Sequence, residues 1–389
     1  MQILHVVASL DPGAGGPALV AVRLAAAQAA VGHSVCILSY SNSGASIRID
    51  QSTERVPGAS LVHYEYLDNP TAGERILGWH AKNALRRLIK GADWVHCHGV
   101  WERLIFHAME EAYRQGVPYC VRPAGMLDPW SLAQKSTKKS LALFFGYKRA
   151  VSRSAFIHAL NADEARLLGG LKLTPPIEIV PNGIFAEEVF PLPERGRFRR
   201  HYPALAQAPF ILFLARLHYK KGLDILIPAF EALTSRYPQV CLVIAGPDDG
   251  DGARLAKAVA TSPVGHKILI VGPLYGTDKF EALVDASIFC LPSRQEGFSV
   301  AVLEALAAGV PAVISEHVNF PEVGQVGAGA VVKLEIEEVA DAIAQILENS
   351  AHCKAMGEAA QRLVLERFTW PSVCDQIVAC YAKYLTAAP

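Results

Sequence analysis

Two glutamates eight positions apart, Glu296 and Glu304, lie in the stretch Ser293-Arg-Gln-Glu-Gly-Phe-Ser-Val-Ala-Val-Leu-Glu304. The apolar run Ile288–Leu291 ahead of it reads as a buried strand, and Val300–Ala308 reads as a helix. Glu296 is therefore expected in a loop and Glu304 within the helix. A helix N-terminus offers unpaired N–H groups and a positive dipole end, which suit a phosphate. Carboxylates on either side would accept hydrogen bonds from the hydroxyls of a sugar or ribose. One glutamate alone would read as an ordinary acidic first turn. Two of them, with Gly297 and the downstream Ala307-Ala-Gly-Val-Pro311, favour a ligand.

A second set is basic: Leu214-Ala-Arg216-Leu-His-Tyr-Lys-Lys221-Gly222. Arg216 follows an apolar strand and Lys221 stands just before a helix. Two cations at a strand terminus suit a diphosphate, the arginine through its planar fork and the lysine as a point charge. Solvated loop cations are the plain alternative from these residues alone.

These groups need a scaffold, and length and pattern describe one. The chain has 389 residues, about half of them hydrophobic, which at about 150 residues per domain suggests two domains. Short apolar runs alternate with helical patterns from end to end. Ile3–Ser9, Ser34–Ser39, Trp94–His98, Tyr119–Arg122, Phe156–Ala159 and Glu178–Val180 read as buried strands, with helices such as Pro17–Ala30 and Leu104–Gln115 between them. A second series runs through Phe210–Leu214, Val240–Ala245, Lys267–Val271, Ile288–Leu291 and Ala312–Ile314, with helices including Leu223–Tyr237. Prolines at 191, 193, 203 and 209 place a junction within Phe185–Pro209. The expected fold is α/β: two doubly wound parallel-sheet domains facing a cleft, with ligands at the carboxyl ends of the strands.

The series Arg216…Lys221-Gly222, Gly272-Pro-Leu-Tyr, Glu296-Gly-Phe-Ser…Glu304 and Ala308-Gly-Val-Pro resembles the retaining, GT-B-fold glycosyltransferases of family 4 over essentially the whole chain. Looser matches are Gly15-Gly16-Pro17, His96-Cys-His98-Gly and Val180-Pro-Asn182-Gly-Ile. The tract Arg122-Pro-Ala-Gly-Met-Leu-Asp-Pro-Trp130 resembles bacterial members that assemble cell-surface polysaccharides. The resemblance implies an acceptor-side domain over residues 1–187, with a C-terminal helix at 372–389 returning to it, and a donor-binding domain over 188–371. It implies that Arg216 and Lys221 hold the donor diphosphate, and that the N–H groups of Ser299 and Val300 cap the distal phosphate. Glu304 would bind the ribose, and the backbone near Leu274 and Tyr275 the base. Glu296, Gly297 and Phe298 would grip the transferred sugar, Gly16 would let the first loop approach the diphosphate, and His98 would face the sugar. The family usually has Pro-Phe-Gly where this chain has Gly-Phe-Ser after Glu296. No cofactor or metal is implied beyond the nucleotide-sugar donor, for which UDP-glucose is favoured, and the acceptor would be a saccharide or lipid-linked saccharide. A non-hydrolysing sugar-nucleotide epimerase of the same fold and a non-enzymatic two-domain sugar-binding protein are the alternatives.

Other signals point elsewhere. Asp249-Gly-Asp251 matches a metal-binding D-x-D pattern, but it sits in Pro247-Asp-Asp-Gly-Asp-Gly252, where a turn wants these residues anyway. Gly13-x-Gly15-x-x-Ala18 imitates a dinucleotide fingerprint, yet the second strand ends in Ser39-Tyr40-Ser41 with no acid for a ribose. His80, His158, His218 and His266 have no mutual ligand spacing and read as surface or core residues. Gln134–Arg153 carries Lys135, Lys138, Lys139, Lys148, Arg149 and Arg153 without an acid. This basic amphipathic helix could lie on an anionic membrane or be a core helix with a solvated face. The 37 basic and 37 acidic residues balance, which excludes a nucleic-acid-binding arm. The N-terminus shows no basic leader, no apolar run reaches about 20 residues, and the eight cysteines are scattered, so a cytoplasmic chain is expected.

Overall fold

The computed structural model describes residues 1–11, 16–41, 49, 52–71, 73–74, 78–128 and 146–385. The chain divides into two compact units: Met1–Glu188 together with Trp370–Pro389, and Val189–Thr369.

The first unit is built on a parallel seven-stranded sheet. Its strands are β1 (Gln2–Ser9), β2 (Ser34–Tyr40), β3 (His63–Leu67), β4 (Trp94–His98), β5 (Tyr119–Arg122), β6 (Phe156–Ala159) and β7 (Ile177–Ile179), in the order β3-β2-β1-β4-β5-β6-β7. All residues of β4, β5 and β6 are buried, as expected where helices cover both faces of a parallel sheet. Successive residues of a strand point to opposite faces. Val95 and Cys97 thus face the cluster under the helices Trp79–Lys90 and Arg103–Gln115, and Trp94 faces the other. That other face is covered by the alanine-rich helix Gly16–Ala30 and by the last helix of the chain, Trp370–Leu385. Trp370, Val373, Cys374, Ile377 and Tyr381 of the last helix are buried, and the Tyr381 ring stacks on Trp94 at 4.6 Å.

The second unit has six parallel strands: β8 (Phe210–Leu214), β9 (Cys241–Ala245), β10 (Ile268–Gly272), β11 (Ile288–Leu291), β12 (Ala312–Ser315) and β13 (Gly329–Val332). Their order is β10-β9-β8-β11-β12-β13. Both units are therefore doubly wound. The order reverses between β1 and β4 in the first and between β8 and β11 in the second, and ligands bind at such switch points.

Two strands escape the sequence pattern, and both are sheet edges. β3, His-Tyr-Glu-Tyr-Leu, is only partly covered, so it lacks an apolar run. β13 begins in small residues because its backbone runs close to its neighbour. A Cβ at Gly329 would lie 1.9 Å from the Ala312 carbonyl oxygen. The proline-rich junction also keeps more structure than expected, with short helices at Ala186–Val189 and Arg197–His201. Among the described residues, no helix is long and apolar enough to cross a membrane.

The last helix should contribute to the first unit through its buried face alone. Ile377→Ala is expected to cost about 2–5 kcal/mol in urea unfolding, because Ile377 is fully buried and leaves a cavity. Asp375→Ala, on the exposed side, should stay within about 0.5 kcal/mol of wild type.

Candidate functional site

In the second unit, β8 and β11 are neighbours, and the loops that leave their carboxyl ends are fastened together by polar contacts. The Arg294 amide donates to the Lys220 carbonyl at 2.7 Å, and Lys220 Nζ donates to Gln295 Oε1 at 2.6 Å. Arg294 grips both carboxylate oxygens of Asp224 at 2.7 Å and lies 4.0 Å over the Tyr219 ring. Lys221 Nζ meets Glu296 Oε1 at 2.5 Å, and Ser293 Oγ donates to the same oxygen at 2.7 Å. Gly222 makes the close approach possible. Its φ is +75°, and a Cβ there would stand 1.9 Å from the Pro292 carbonyl oxygen.

Charge exposure differs sharply between the two cations. The Lys221–Glu296 pair is mostly buried, with side chains 16% and 10% exposed. Arg216 is 60% exposed, and Nη1 pairs with Asp249 Oδ2 at 2.5 Å. A pair this open is worth about 0–1 kcal/mol, so an arriving anion can displace Asp249 cheaply. His218, expected as a surface or core residue, shapes this loop by accepting from the Lys220 amide through Nδ1 at 3.0 Å.

The helix Val300–Ala307 starts at Ser299, whose hydroxyl accepts from the Val302 amide at 3.4 Å. Glu304 Oε1 pairs at 2.6 Å with Lys279, a residue the sequence reading missed. Lys279 sits on the helix Gly276–Asp285, which follows directly on half-buried Leu274 and exposed Tyr275. This contact joins the expected base and ribose segments. No local spacing announces it, because the partners come from separate βα units. The Phe298 ring, expected beside the transferred sugar, is buried against Phe320 and Phe368 at 5.1 and 5.8 Å, so the side chain anchors the loop.

In the first unit, Gly16 opens its helix, and a Cβ there would meet nothing within 4 Å among the described residues. The fold itself makes no demand for glycine at that point. Gly13 and Gly15 lie outside the described residues. His98 ends β4 and is buried in a polar cluster that sequence reading did not see. His5 and His96 are register partners on β1 and β4, and His98 lies two residues further on the same face. His98 and Arg122 are register partners on β4 and β5. His5 Nδ1 and His98 Nε2 are 2.9 Å apart, and His5 Nε2 and Gln28 Oε1 are 2.6 Å apart. His96 Nδ1 meets the Tyr381 hydroxyl at 2.6 Å, and His96 Nε2 meets His158 Nδ1 at 3.3 Å. His158, read from the sequence as a surface or core residue, is buried and belongs to the cluster. The visible signal was the alternation His96-x-His98; its partners are distant in sequence.

Burial holds all four imidazoles neutral. His5 is lowered to about 4 despite its bond to Gln28, and His158 to about 3, where the Arg122 charge adds to burial. His96 and His98 are pushed well below the usual histidine range by burial and by neighbouring charges. Arg122 is itself buried and lowered to about 10. Its Nη2 donates to Asn182 Oδ1 at 2.6 Å, while Nε and Nη1 have no partner among the described residues. His5, His96 and His98 hold nitrogens within 4.8 Å of one another, the spacing of a three-ligand metal site. Both nitrogens of His5 and of His96 are already hydrogen-bonded, and a guanidinium stands close by, so the donor set does not fit a cation.

The D-x-D pattern resolves into a turn. Asp248 Oδ1 accepts from the amides of Gly250, Asp251 and Gly252, which lowers its carboxyl below the usual range. Asp249 pairs with Arg216, and Asp251 with Arg254 at 2.7 Å. Most of the basic segment Gln134–Arg153 lies outside the described residues. At its described end, Arg149 and Arg153 approach Glu110 at 3.5 and 3.7 Å, and Arg153 lies over the Tyr113 ring.

Both halves of the chain resemble known proteins. The model of the family "Glycosyl transferases group 1" matches residues 194–363, and that of a "Glycosyl transferase 4-like domain" matches residues 15–183. The chain is 28% identical over 228 residues to an MMP alpha-(1->4)-mannosyltransferase of Mycolicibacterium hassiacum, covering 57% of this chain and 52% of that protein. It is 27% identical over 391 aligned positions to a glycogen synthase of Mycobacterium tuberculosis, covering 92% and 89%. A GDP-mannose-dependent alpha-(1-6)-phosphatidylinositol monomannoside mannosyltransferase of M. tuberculosis is 30% identical over 54% of this chain and 55% of that protein. The matches thus span about half of the two mannosyltransferases and most of the synthase. Among solved structures, Anabaena HepE in complex with UDP and glucose superposes with a TM-score of 0.79 at 16% identity, over 98% of this chain and 100% of that one.

The buried histidines give stability a pH dependence of known sign. Their folded values lie below the 6.5 of an unfolded histidine, so the unfolded chain takes up protons first. Their contribution is fully present above about pH 6.5 and is lost as pH falls toward about 4 for His5 and about 3 for His158. Each histidine that stays neutral should cost up to about 1.4 kcal/mol per pH unit in that window. The urea midpoint is expected to drop steadily between about pH 7 and about pH 5.

Proposed function

We propose, since the chain belongs to the group 1 glycosyl transferases and has their GT-B architecture, that it moves a sugar from a nucleotide-sugar donor to an acceptor hydroxyl. The observation that carries this reading is the joining of the loops after β8 and β11, which sets Lys221 beside Glu296 at the switch point. Breaking a sugar–phosphate bond builds positive charge on the sugar and negative charge on the departing diphosphate. Lys221 spends one donor on Glu296 and keeps its others for phosphate oxygens, and Arg216 adds a planar fork. The amides of Ser299 and Val300 cap the distal phosphate at the helix start. Glu296 Oε1 serves Lys221 and Ser293, and Oε2 accepts from a sugar hydroxyl. Glu304, steadied by Lys279, accepts from the ribose, with the base against the backbone of Leu274 and Tyr275.

These groups are held before the donor arrives, so they stabilise the leaving diphosphate with little reorganisation. The acceptor attacks from the face the diphosphate leaves, which retains configuration at the sugar. His98 and Gly16 serve the acceptor-side unit. The donor we take to be UDP-glucose, a reading supported by the UDP and glucose bound in the Anabaena neighbour. The acceptor we take to be a saccharide or lipid-linked saccharide in cell-surface polysaccharide assembly. The resemblance of the Arg122–Trp130 tract and the lipid-linked mannoside substrate of a mycobacterial relative support that choice. Residues 1–187 with the last helix form the acceptor side in this reading, and 188–371 the donor side.

Lys221→Ala and Arg216→Ala should each lower kcat about 100-fold or more, the cost of losing a preorganised donor, with circular dichroism unchanged. Turnover near wild type in both would defeat the diphosphate assignment. A thermal-shift series of nucleotides should rank UDP first. A donor at about 100 times its Kd adds about 2.7 kcal/mol of stability. A larger shift with GDP would replace the donor, and no shift with any nucleotide would refute the reading.

A further inference from the structure

We propose that His5, Gln28 and Tyr381 are positioning residues: a one-way hydrogen-bond chain from the Val180 carbonyl to His98 keeps the His98 proton on Nε2 and offers its bare Nδ1 to a ligand hydroxyl. The chain is a property of the first unit alone. Only the identity of the hydroxyl, a sugar's, rests on the glycosyl-transfer reading.

The direction of every bond follows from one end. A carbonyl only accepts, so His158 Nε2 donates to Val180 O at 2.8 Å. A neutral imidazole protonated on Nε2 has only a lone pair on Nδ1, so His158 Nδ1 accepts from His96 Nε2. His96 Nδ1 must then accept, and its neighbour, the Tyr381 hydroxyl, donates. With its proton committed, that hydroxyl accepts from the Gln28 amide nitrogen at 3.4 Å. This fixes the amide with Oε1 toward His5, whose Nε2 donates to it. His5 Nδ1 is left as a lone pair and accepts from His98 Nε2. His98 Nδ1 is then a bare acceptor, buried and with no partner among the described residues.

A second proton on His5 or His158 would set two donors facing each other, and burial keeps all four rings neutral, with the Arg122 charge adding to it at His96, His98 and His158. Because the bonds all run one way, each polarises the next and strengthens the open end as an acceptor. Phosphate and carboxylate oxygens, which only accept, find no match at Nδ1. A hydroxyl completes it. The chain threads β6, β4, the last helix, the first helix and β1 before returning to β4, so a residue near the C-terminus sets the tautomer at the first unit's switch point.

The test is long-range 1H–15N correlation NMR of the full chain labelled with 15N-histidine. Neutral Nε2–H rings are expected at His5, His96, His98 and His158. Tyr381→Phe keeps the ring that stacks on Trp94 but removes the proton that satisfies His96 Nδ1. It should convert His98 to a mixture of tautomers and lower kcat/KM for transfer about tenfold, the effect of losing about one hydrogen bond. Gln28→Leu should do the same, and Gln28→Glu, which keeps an acceptor for His5, should restore the His98 tautomer. An Nδ1–H ring at His98 in the wild type would overturn the proposal. So would tautomers and kcat/KM unmoved in both Tyr381→Phe and Gln28→Leu. Thermal stabilisation of chelator-treated wild type by zinc, absent in His5→Phe, would also overturn it by assigning the cluster to a metal. Four Nε2–H rings in a chain that transfers no sugar would refute the transferase reading and leave the chain standing. Active transfer with Nδ1–H at His98 would do the reverse.

Discussion

In a doubly wound parallel sheet, the connections from the two central strands pass to opposite faces, and the loops above them part. Backbone and side chains there are relieved of covering the sheet and are close enough to act together. In this chain those gaps lie between β1 and β4 and between β8 and β11. Arg216, Lys221 and Glu296 stand over the second, and Gly16 and His98 over the first.

The two sites use opposite electrostatic strategies. The second unit holds its charges in ion pairs of different exposure. Arg216–Asp249 is loose enough to exchange Asp249 for an incoming anion, whereas Lys221–Glu296 is shielded enough to hold its geometry. The first unit places imidazoles inside a packed sheet face, where charge is expensive, and keeps them neutral by linking them into a chain. The pH dependence of stability and the acceptor character of His98 come from the same burial. A charged histidine there would break both.

How much was legible depended on how far apart the partners stand in the chain. Ser293–Glu304 could be read because strand, loop and helix follow one another, and the distance between the two glutamates is set by a few backbone bonds. Arg216 and Lys221 were legible for the same reason. Asp249 and Asp251 match a metal-ligand pattern because turns and metal sites use the same residues; here they lie in a turn closed by three amides on Asp248. β3 was missed because, only partly covered at its edge, it lacks an apolar run, and β13 because it opens in small residues where its backbone runs close to β12. Lys279, Arg294 with Asp224, and the His5–Gln28–Tyr381 set were missed because their partners lie 25, 70, 23 and 353 residues apart.

The sequence by itself determined the α/β class, the strand–helix rhythm and the residues beside the second switch point, because each depends on local periodicity and on side-chain type. Tertiary structure decided which loops are fastened together, which oxygens of Glu296 and Glu304 are already engaged, and where the last helix packs. It also decided that His158 belongs with His98. Strand order, which no local pattern encodes, brings β1, β4 and β6 onto one polar seam. Packing the last helix over that seam supplies the hydroxyl that gives its hydrogen bonds a direction.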